Sequence, residues 1–272
     1  MVIFPGAKIN IGLQVGPKRA DGYHTIASVF YPIEWTDVLE VIPADDHVYR
    51  LFCSGHALDA APEGNIVSRA YELMHQRFGI APVHTWLHKA VPSGAGLGGG
   101  SADAASMIAL LNKIFKLEIG NDALRQLALE LGSDCPFFIE RQPTQVGGRG
   151  EVMNHYPLSL KGYHLLVVHP GIHVPTAQAY AMLTPRTQLT DNAAQLPSDI
   201  TQWRDRVVND FESPVFKAWP AIGRLKEQMY EMGAVYASMS GSGSAVFGIF
   251  ENAPDGIGLF AGMQTFTSKI EN

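Results

Sequence analysis

Five of the seven residues from Gly94 to Gly100 are glycine, and the run opens directly into SADAASMIALLNKIF. No other stretch limits the fold so tightly. A main chain this rich in glycine turns sharply, reaches positive φ, or comes close to something that a Cβ would hold away. The residues after it have helical spacing, with Ile108, Leu111 and Phe115 on one side and Met107, Leu110 and Ile114 beside them. Ser101 reads as the N-cap of this helix and Asp103 as a first-turn carboxylate suited to the helix dipole. A glycine turn feeding a helix N-terminus presents unpaired N–H groups and partial positive charge to an anion. An ordinary loop with several positive-φ positions is the plain alternative. Five glycines are wasteful for that purpose, since each gives up unfolded-state entropy on folding. Phosphate binding is the expectation.

Known phosphate loops narrow the choice. Gly94, Gly96 and Gly99 satisfy G-x-G-x-x-G, but that dinucleotide fingerprint wants a βαβ unit with an acidic residue about 20 positions on. The nearest candidate, Glu118, falls at the tail of a helix. A nicotinamide-dependent oxidoreductase would therefore rest on an accidental match. The Gly-Lys-Ser/Thr ending of the strict P-loop is absent, as are H-R-D and D-F-G.

Around the loop, strands and helices alternate irregularly, which favours an α+β fold over a doubly wound sheet. KINIGLQV alternates, with Ile9, Ile11, Leu13 and Val15 on one face and Lys8, Asn10, Gly12 and Gln14 on the other. Segments 37–42, 48–53 and 83–89 read as strands, with Pro43–Asp46 as a turn. A helix is expected from Ile66 to Gly79 after Asn65, and another over NDALRQLALELG, starting near Asn121 or Asp122 and stopping at Gly132. The glycine- and proline-bearing stretch 142–162 is the best boundary, dividing the chain into 1–150 and 151–272. YHLLVVHPG begins a new strand beyond it, and the polar tract 184–201 reads as a loop and a candidate lid.

Other segments carry chemistry only in combination. Asp134, between a helix end and Pro-Phe-Phe-Ile, is either a turn residue or a partly buried general base. Lys8 is either a surface lysine or a cation facing a polar site. MSGSGSAV is a second small-residue turn, for which a tight hairpin suffices. Tyr23 and His24 pass as loop residues, and His84 and His88 as surface or half-buried strand residues rather than metal ligands. Cys53 and Cys135 read most simply as buried small hydrophobes and exclude a disulfide framework.

Composition removes whole classes of function. A net charge of −6 without a basic run argues against nucleic acid. No stretch reaches the roughly 18 apolar residues of a membrane span, and MVIFPGAKIN lacks the features of a signal or transit peptide. A cytoplasmic protein is expected, with neither a membrane nor an obligate protein partner.

Taken together, PGAKINIGLQV, PSGAGLGGGSADAA and MSGSGSAVF resemble, in order and spacing, the three motifs of the GHMP kinases. RADGYHTIASVF, GNIVSRA, GSDCPFF, GRGE, VPTAQAY and VNDFE resemble the branch that phosphorylates a cytidylyl-methylerythritol in the non-mevalonate isoprenoid pathway. The similarity runs from about residue 5 to about residue 250. It implies a two-lobed GHMP-kinase fold, with an N-terminal mixed-sheet ATP-binding domain, a C-terminal antiparallel-sheet α+β domain, and substrates in the cleft between them. It also implies ATP as co-substrate, Mg2+ on its phosphates without an all-protein metal cage, and a small cytidylyl polyol as acceptor.

Residue by residue, Lys8 and Asp134 match the catalytic pair, with Asp134 also at the substrate. Pro92, Gly94, Ala95, Gly96, Leu97, Gly98, Gly99, Gly100, Ser101 and Ala102 match the ATP-binding loop, and Asn65 a position on the nucleotide side. Asn10, Tyr23, His24, Thr176 and Tyr180 match substrate positions, the aromatic ones on the cytosine. Ser133 and Cys135 stand where Ala and Val are common, and Ala177 where proline often sits. Homoserine- or mevalonate-type kinases are the alternative. They have no use for an aromatic sandwich around a base. A regulator that has lost catalysis would not need both Lys8 and Asp134.

Overall fold

The computed structural model describes residues 1–56, 64–189 and 195–271. Its strands run in chain order β1 (Val2–Ile3), β2 (Gly6–Lys18), β3 (His24–Thr36), β4 (Val38–Pro43), β5 (Arg50–Gly55) and β6 (Val83–Lys89), then β7 (Thr144–Gly147), β8 (Val152–His155), β9 (His164–His169), β10 (Tyr236–Met239), β11 (Val246–Phe250) and β12 (Gln264–Lys269). The helices are α1 (Ile66–Phe78), α2 (Gly99–Ile114), α3 (Asn121–Leu131), α4 (Phe137–Glu140), α5 (Thr176–Met182), α6 (Trp203–Arg206), α7 (Glu212–Ala218) and α8 (Pro220–Glu231). The chain forms two compact units. One contains Met1–Lys8, Pro32–Ser93 and Gly98–Gln142, the other Ile9–Tyr31, Gly94–Leu97 and Pro143–Asn272. This division follows packing and interleaves along the chain, whereas the division at residue 150 separates motif-bearing halves.

The first unit holds the sheet β1-β4-β6-β5. It is mixed, because β5 runs parallel to β6 while β4 runs antiparallel to it. Hence β4 and β5 are not joined as a hairpin across Pro43–Asp46; β6 lies between them. Leu39, Val41, Val83 and Leu87 from the sheet close a core with Val67, Ala70 and Met74 of α1, Met107, Ile108 and Leu111 of α2, and Leu124 and Leu127 of α3. At roughly 1.5–3 kcal/mol for each fully buried aliphatic side chain, this cluster dominates the unit's stability. α1 has both of its expected ends: Asn65 Oδ1 accepts the Val67 N–H at 2.9 Å, and Gly79 closes it at φ 61°.

The second unit holds two four-stranded sheets, β2-β3-β7-β8 and β10-β11-β9-β12. The latter is antiparallel throughout, and β12 closes its edge on β9. Leu13, Val15, Leu166, Val168, Phe211, Val215, Leu225 and Met229 form its core. The boundary stretch 142–162 is itself folded, since β7 and β8 pair with each other and β7 with β3, and one change of unit falls at Gln142/Pro143. In the tract 184–201, residues 190–194 lie outside the described residues.

Lys8 and Asn10 are buried, at 3% and 2% exposure, so of the two readings of Lys8 the surface one falls away. Two expectations need correction. Cys53 is exposed because it lies on the edge strand β5, while Cys135 is buried as expected. The α2 helix begins at Gly99 with Gly98 as its cap, so Ser101 is not the N-cap and Asp103 is not in the first turn. Gly98 reaches φ 71°, which glycine supplies at no steric cost, and that lets the helix start two residues before the first side chain able to cap it.

Candidate active site

The consequence of the early helix start is an N-terminus with no side-chain cap hydrogen bond and no acidic residue in its first turn. The first N–H groups of α2 therefore remain available to an outside acceptor, and the helix dipole favours an anion there. Gly98 could not be another residue. Besides its positive φ, a Cβ there would come within 2.8 Å of Phe138 Cζ and 3.2 Å of Lys8 Cε. Pro92, Gly99, Gly100, Ser101 and Ala102 lie with this helix start in the first unit.

Lys8 Nζ lies 3.6 Å from Asp134 Oδ2, with side-chain exposures of 4% and 35%. Burial lowers the Lys8 pKa, and Asp134 acts in the opposite sense. The carboxylate thus keeps one side open to a substrate while the ammonium beneath it is shielded. The turn that presents Asp134 is closed by Cys135 N donating to Gly132 O at 3.1 Å and Phe137 N donating to Asp134 O at 3.2 Å.

Behind the α2 start sits a buried charge cluster that the sequence reading missed. Lys89 Nζ is hydrogen-bonded to Asp37 and, at 2.7 Å, to Asp103 Oδ2, and all three side chains are buried. Asp37 Oδ1 also accepts from Ala90 N at 2.7 Å and Val91 N at 2.8 Å, just ahead of the glycine loop. Asp103 Oδ1 has no hydrogen-bond partner, and burial pushes that carboxyl up to about 8 against the pull of Lys89. Asn65 spends its side-chain oxygen as the cap of α1.

The second unit carries the remaining site residues. Gly94, Ala95, Gly96 and Leu97 lie there, with Ala95 and Leu97 buried. Ser240 Oγ donates to Gly96 O at 2.8 Å, and Ala95 O accepts from Ala245 N at 3.1 Å. The MSGSGS tract is thus the expected hairpin turn between β10 and β11, and it also holds this part of the loop. Asn10 joins the arrangement: its N–H donates to Ser240 Oγ at 3.2 Å and its Nδ2 to Ser28 Oγ at 3.1 Å.

The aromatic residues expected at the base fall into two groups. His24 stacks on Tyr180 at 5.4 Å between centroids, and Tyr180 in turn meets Phe211 edge-on at 4.9 Å. His24 Nδ1 lies 2.9 Å from Gly16 O. A carbonyl only accepts, so Nδ1 carries the proton and Nε2 of the neutral ring is left as an acceptor. Tyr23 is 55% exposed and carries the Arg149 guanidinium 5.1 Å from its ring centroid. Arg149, in GRGE, is a cation that the sequence reading quoted without a role. Thr176 Oγ1 lies 3.2 Å from Ser242 Oγ. Among the described residues no group of three His, Cys, Asp or Glu is placed to hold a metal ion, and no helix is long and apolar enough to cross a membrane.

The GHMP kinases N terminal domain matches residues 65–141 and the GHMP kinases C terminal domain residues 192–264. The 4-diphosphocytidyl-2-C-methyl-D-erythritol kinase of Bacteroides thetaiotaomicron is 44% identical, over 94% of this chain and 93% of its own. The enzyme of the same name from Parabacteroides distasonis is 46% identical, over 92% of each chain. A crystal structure of a 4-(cytidine 5'-diphospho)-2C-methyl-D-erythritol kinase superposes with a TM-score of 0.82 at 31% identity, over 98% of both chains. The Methanococcus jannaschii mevalonate kinase shares the fold, with a TM-score of 0.76 at 13% identity.

Proposed function

The chain belongs to the GHMP kinases, among the 4-diphosphocytidyl-2-C-methyl-D-erythritol kinases, and from that premise we propose that it moves the γ-phosphoryl group of ATP to the 2-hydroxyl of 4-diphosphocytidyl-2-C-methyl-D-erythritol. The reaction makes an intermediate of the non-mevalonate isoprenoid pathway. The observation that carries the mechanism is the Lys8–Asp134 pair, a buried ammonium 3.6 Å from a half-exposed carboxylate.

Asp134 accepts the proton of the attacking tertiary hydroxyl as its oxygen bonds to the γ-phosphorus and the bond from that phosphorus to the β–γ bridging oxygen breaks, with ADP as the leaving group. Lys8 orients Asp134, lowers the hydroxyl's pKa and offsets charge on the moving phosphoryl group. The uncapped start of α2, over Gly98–Ser101, receives phosphate oxygens on backbone N–H groups, and Ala102 closes the first helical bond onto Gly98 O beside them. Those donors suit phosphate, and Mg2+ bound together with ATP would supply charge neutralisation. We place Pro92 and Gly94–Leu97 in the same ATP-binding loop and Asn65 on the nucleotide side, where its cap fixes the start of α1. Residues 1–150 and 151–272 are then the N-terminal and C-terminal kinase halves.

The base is read by the second set of residues. His24 Nε2 accepts from the cytosine amine, which is a donor. Tyr23 and Tyr180 offer ring faces, and Asn10 and Thr176 offer polar groups to the polyol and its phosphates. The stacked His24–Tyr180 pair supports a base over homoserine or mevalonate, neither of which has a ring to stack. The protein works on a small molecule, in the cytoplasm, without an obligate partner.

A coupled ADP-release assay tests this reading, with Mg-ATP and either the cytidylyl substrate, homoserine, mevalonate or galactose. Turnover with the cytidylyl substrate alone is expected. Turnover with another alcohol would leave the kinase chemistry and discard the base site.

A further inference from the structure

Asn209, in the VNDFE segment, lies 3% exposed and uses its whole amide. Nδ2 donates to Met239 O at 2.7 Å and to Gly241 O at 2.8 Å, while Oδ1 accepts from Phe211 N at 3.0 Å. Both amide hydrogens and the oxygen are thereby engaged, which fixes the orientation of the group. Its backbone is anchored as well. Leu13 N donates to Val208 O at 2.9 Å, and Asp210 N to Leu13 O at 2.8 Å, so the segment is tied to β2 on either side of Asn209.

The two carbonyls held by Asn209 flank Ser240. That serine is fully buried and donates to Gly96 O at 2.8 Å. The main chain of Gly96 lies so close that a Cβ there would collide with the Ser240 carbonyl, and Gly96 sits at φ +79°. A second brace acts one residue earlier. Glu212 Oε1 accepts from Ser238 Oγ and Met239 N, both at 2.9 Å, and Lys226 Nζ holds Oε2 at 2.6 Å. A buried network with every member satisfied defines one geometry and resists small displacements.

We propose that Asn209 is a positioning residue for nucleotide binding: it fixes the Met239–Gly241 turn so that Ser240 sets the carbonyl of Gly96 and hence the path of Gly94–Leu97. It touches no reacting atom. The amide is required rather than a carboxylate of the same shape, because both main-chain partners are acceptors and need donors. The inference rests on the assignment of Gly94–Leu97 to the ATP-binding loop.

Four proteins test it: the parent, Asn209→Asp, Ser240→Ala and the double variant. Each is assayed for the KM of ATP, the KM of the cytidylyl substrate, kcat and Tm. Asn209→Asp and Ser240→Ala should each raise the KM for ATP roughly five- to tenfold, the scale of one or two buried hydrogen bonds. In Asn209→Asp the KM of the cytidylyl substrate should stay within about twofold, whereas Ser240→Ala also removes the hydroxyl that Asn10 contacts and is therefore read on ATP alone. The double variant should be little worse than the poorer single one, because both changes break the same path. If Asn209→Asp fails to fold, Ser240→Ala still carries the test. A lower Tm with unchanged ATP KM would reduce the network to a structural brace and overturn the proposal. So would independent, multiplying effects in the double variant. An error in the functional reading itself appears elsewhere, as a parent protein that turns over no cytidylyl substrate.

Discussion

Asp134 and Asp103 show how one side-chain type takes opposite roles on neighbouring elements. Asp134 keeps 35% of its side chain exposed and faces Lys8, and its proposed role as proton acceptor rests on that arrangement. Asp134→Asn retains size but removes the base, so kcat should fall roughly 10²-fold or more with little change in the KM for ATP. Near-parent turnover in steady-state assays would refute the assignment. Asp103 is sealed, and burial lifts its carboxyl from 3.8 to about 8 in spite of Lys89. The folded protein thus holds a proton there that the unfolded chain releases above 3.8. Its contribution to stability is full below that value, declines as pH rises to about 8, and is flat beyond. Asp103→Asn should flatten that decline. Urea midpoints of parent and variant at about pH 5 and about pH 8 measure the two slopes, and equal slopes would contradict the buried proton.

Between Gly94 and Ile114 a glycine loop and a helix follow each other in sequence, and they differ in how much of them a local pattern records. Glycine density announced the loop, and periodicity located the helix body, because neither depends on distant partners. The cap was misplaced because Gly98 starts the helix with its backbone alone, and no side chain marks that. β3 went unread as a strand because its middle is buried on both faces and shows no alternation. β7, β8 and β12 are four to six residues long and are defined by the strands beside them. Among the candidate site residues, Lys8, Asp134 and the loop are marked in the sequence because their motifs are local. Asn209, Lys89 and Asp37 act on residues about 30 to 53 positions away, which no local pattern records. Gly96 tests the element directly. Gly96→Ala puts a methyl against the Ser240 carbonyl at a backbone conformation that costs about 1–3 kcal/mol. A lower Tm and a raised KM for ATP are expected, and parent-like values in both would show that the close approach has no function.

At the scale of the whole molecule, the contact units interleave while the family halves follow one another along the chain. The glycine loop belongs partly to each unit, Gly94–Leu97 to one and Gly98 onward to the other. The fold alone does not select a substrate, since mevalonate kinases share it at low identity. Near-full-length similarity to the 4-diphosphocytidyl-2-C-methyl-D-erythritol kinases makes the selection. The central claim is that the γ-phosphoryl group arrives on one particular hydroxyl of a cytidylyl polyol. Phosphorus NMR of the products, after incubation with Mg-ATP and the cytidylyl substrate, tests it most directly. The account predicts a new phosphomonoester on the 2-hydroxyl, formed in step with ADP, with the substrate's diphosphate intact. Release of inorganic phosphate in place of that ester, or an ester on another hydroxyl, would contradict it.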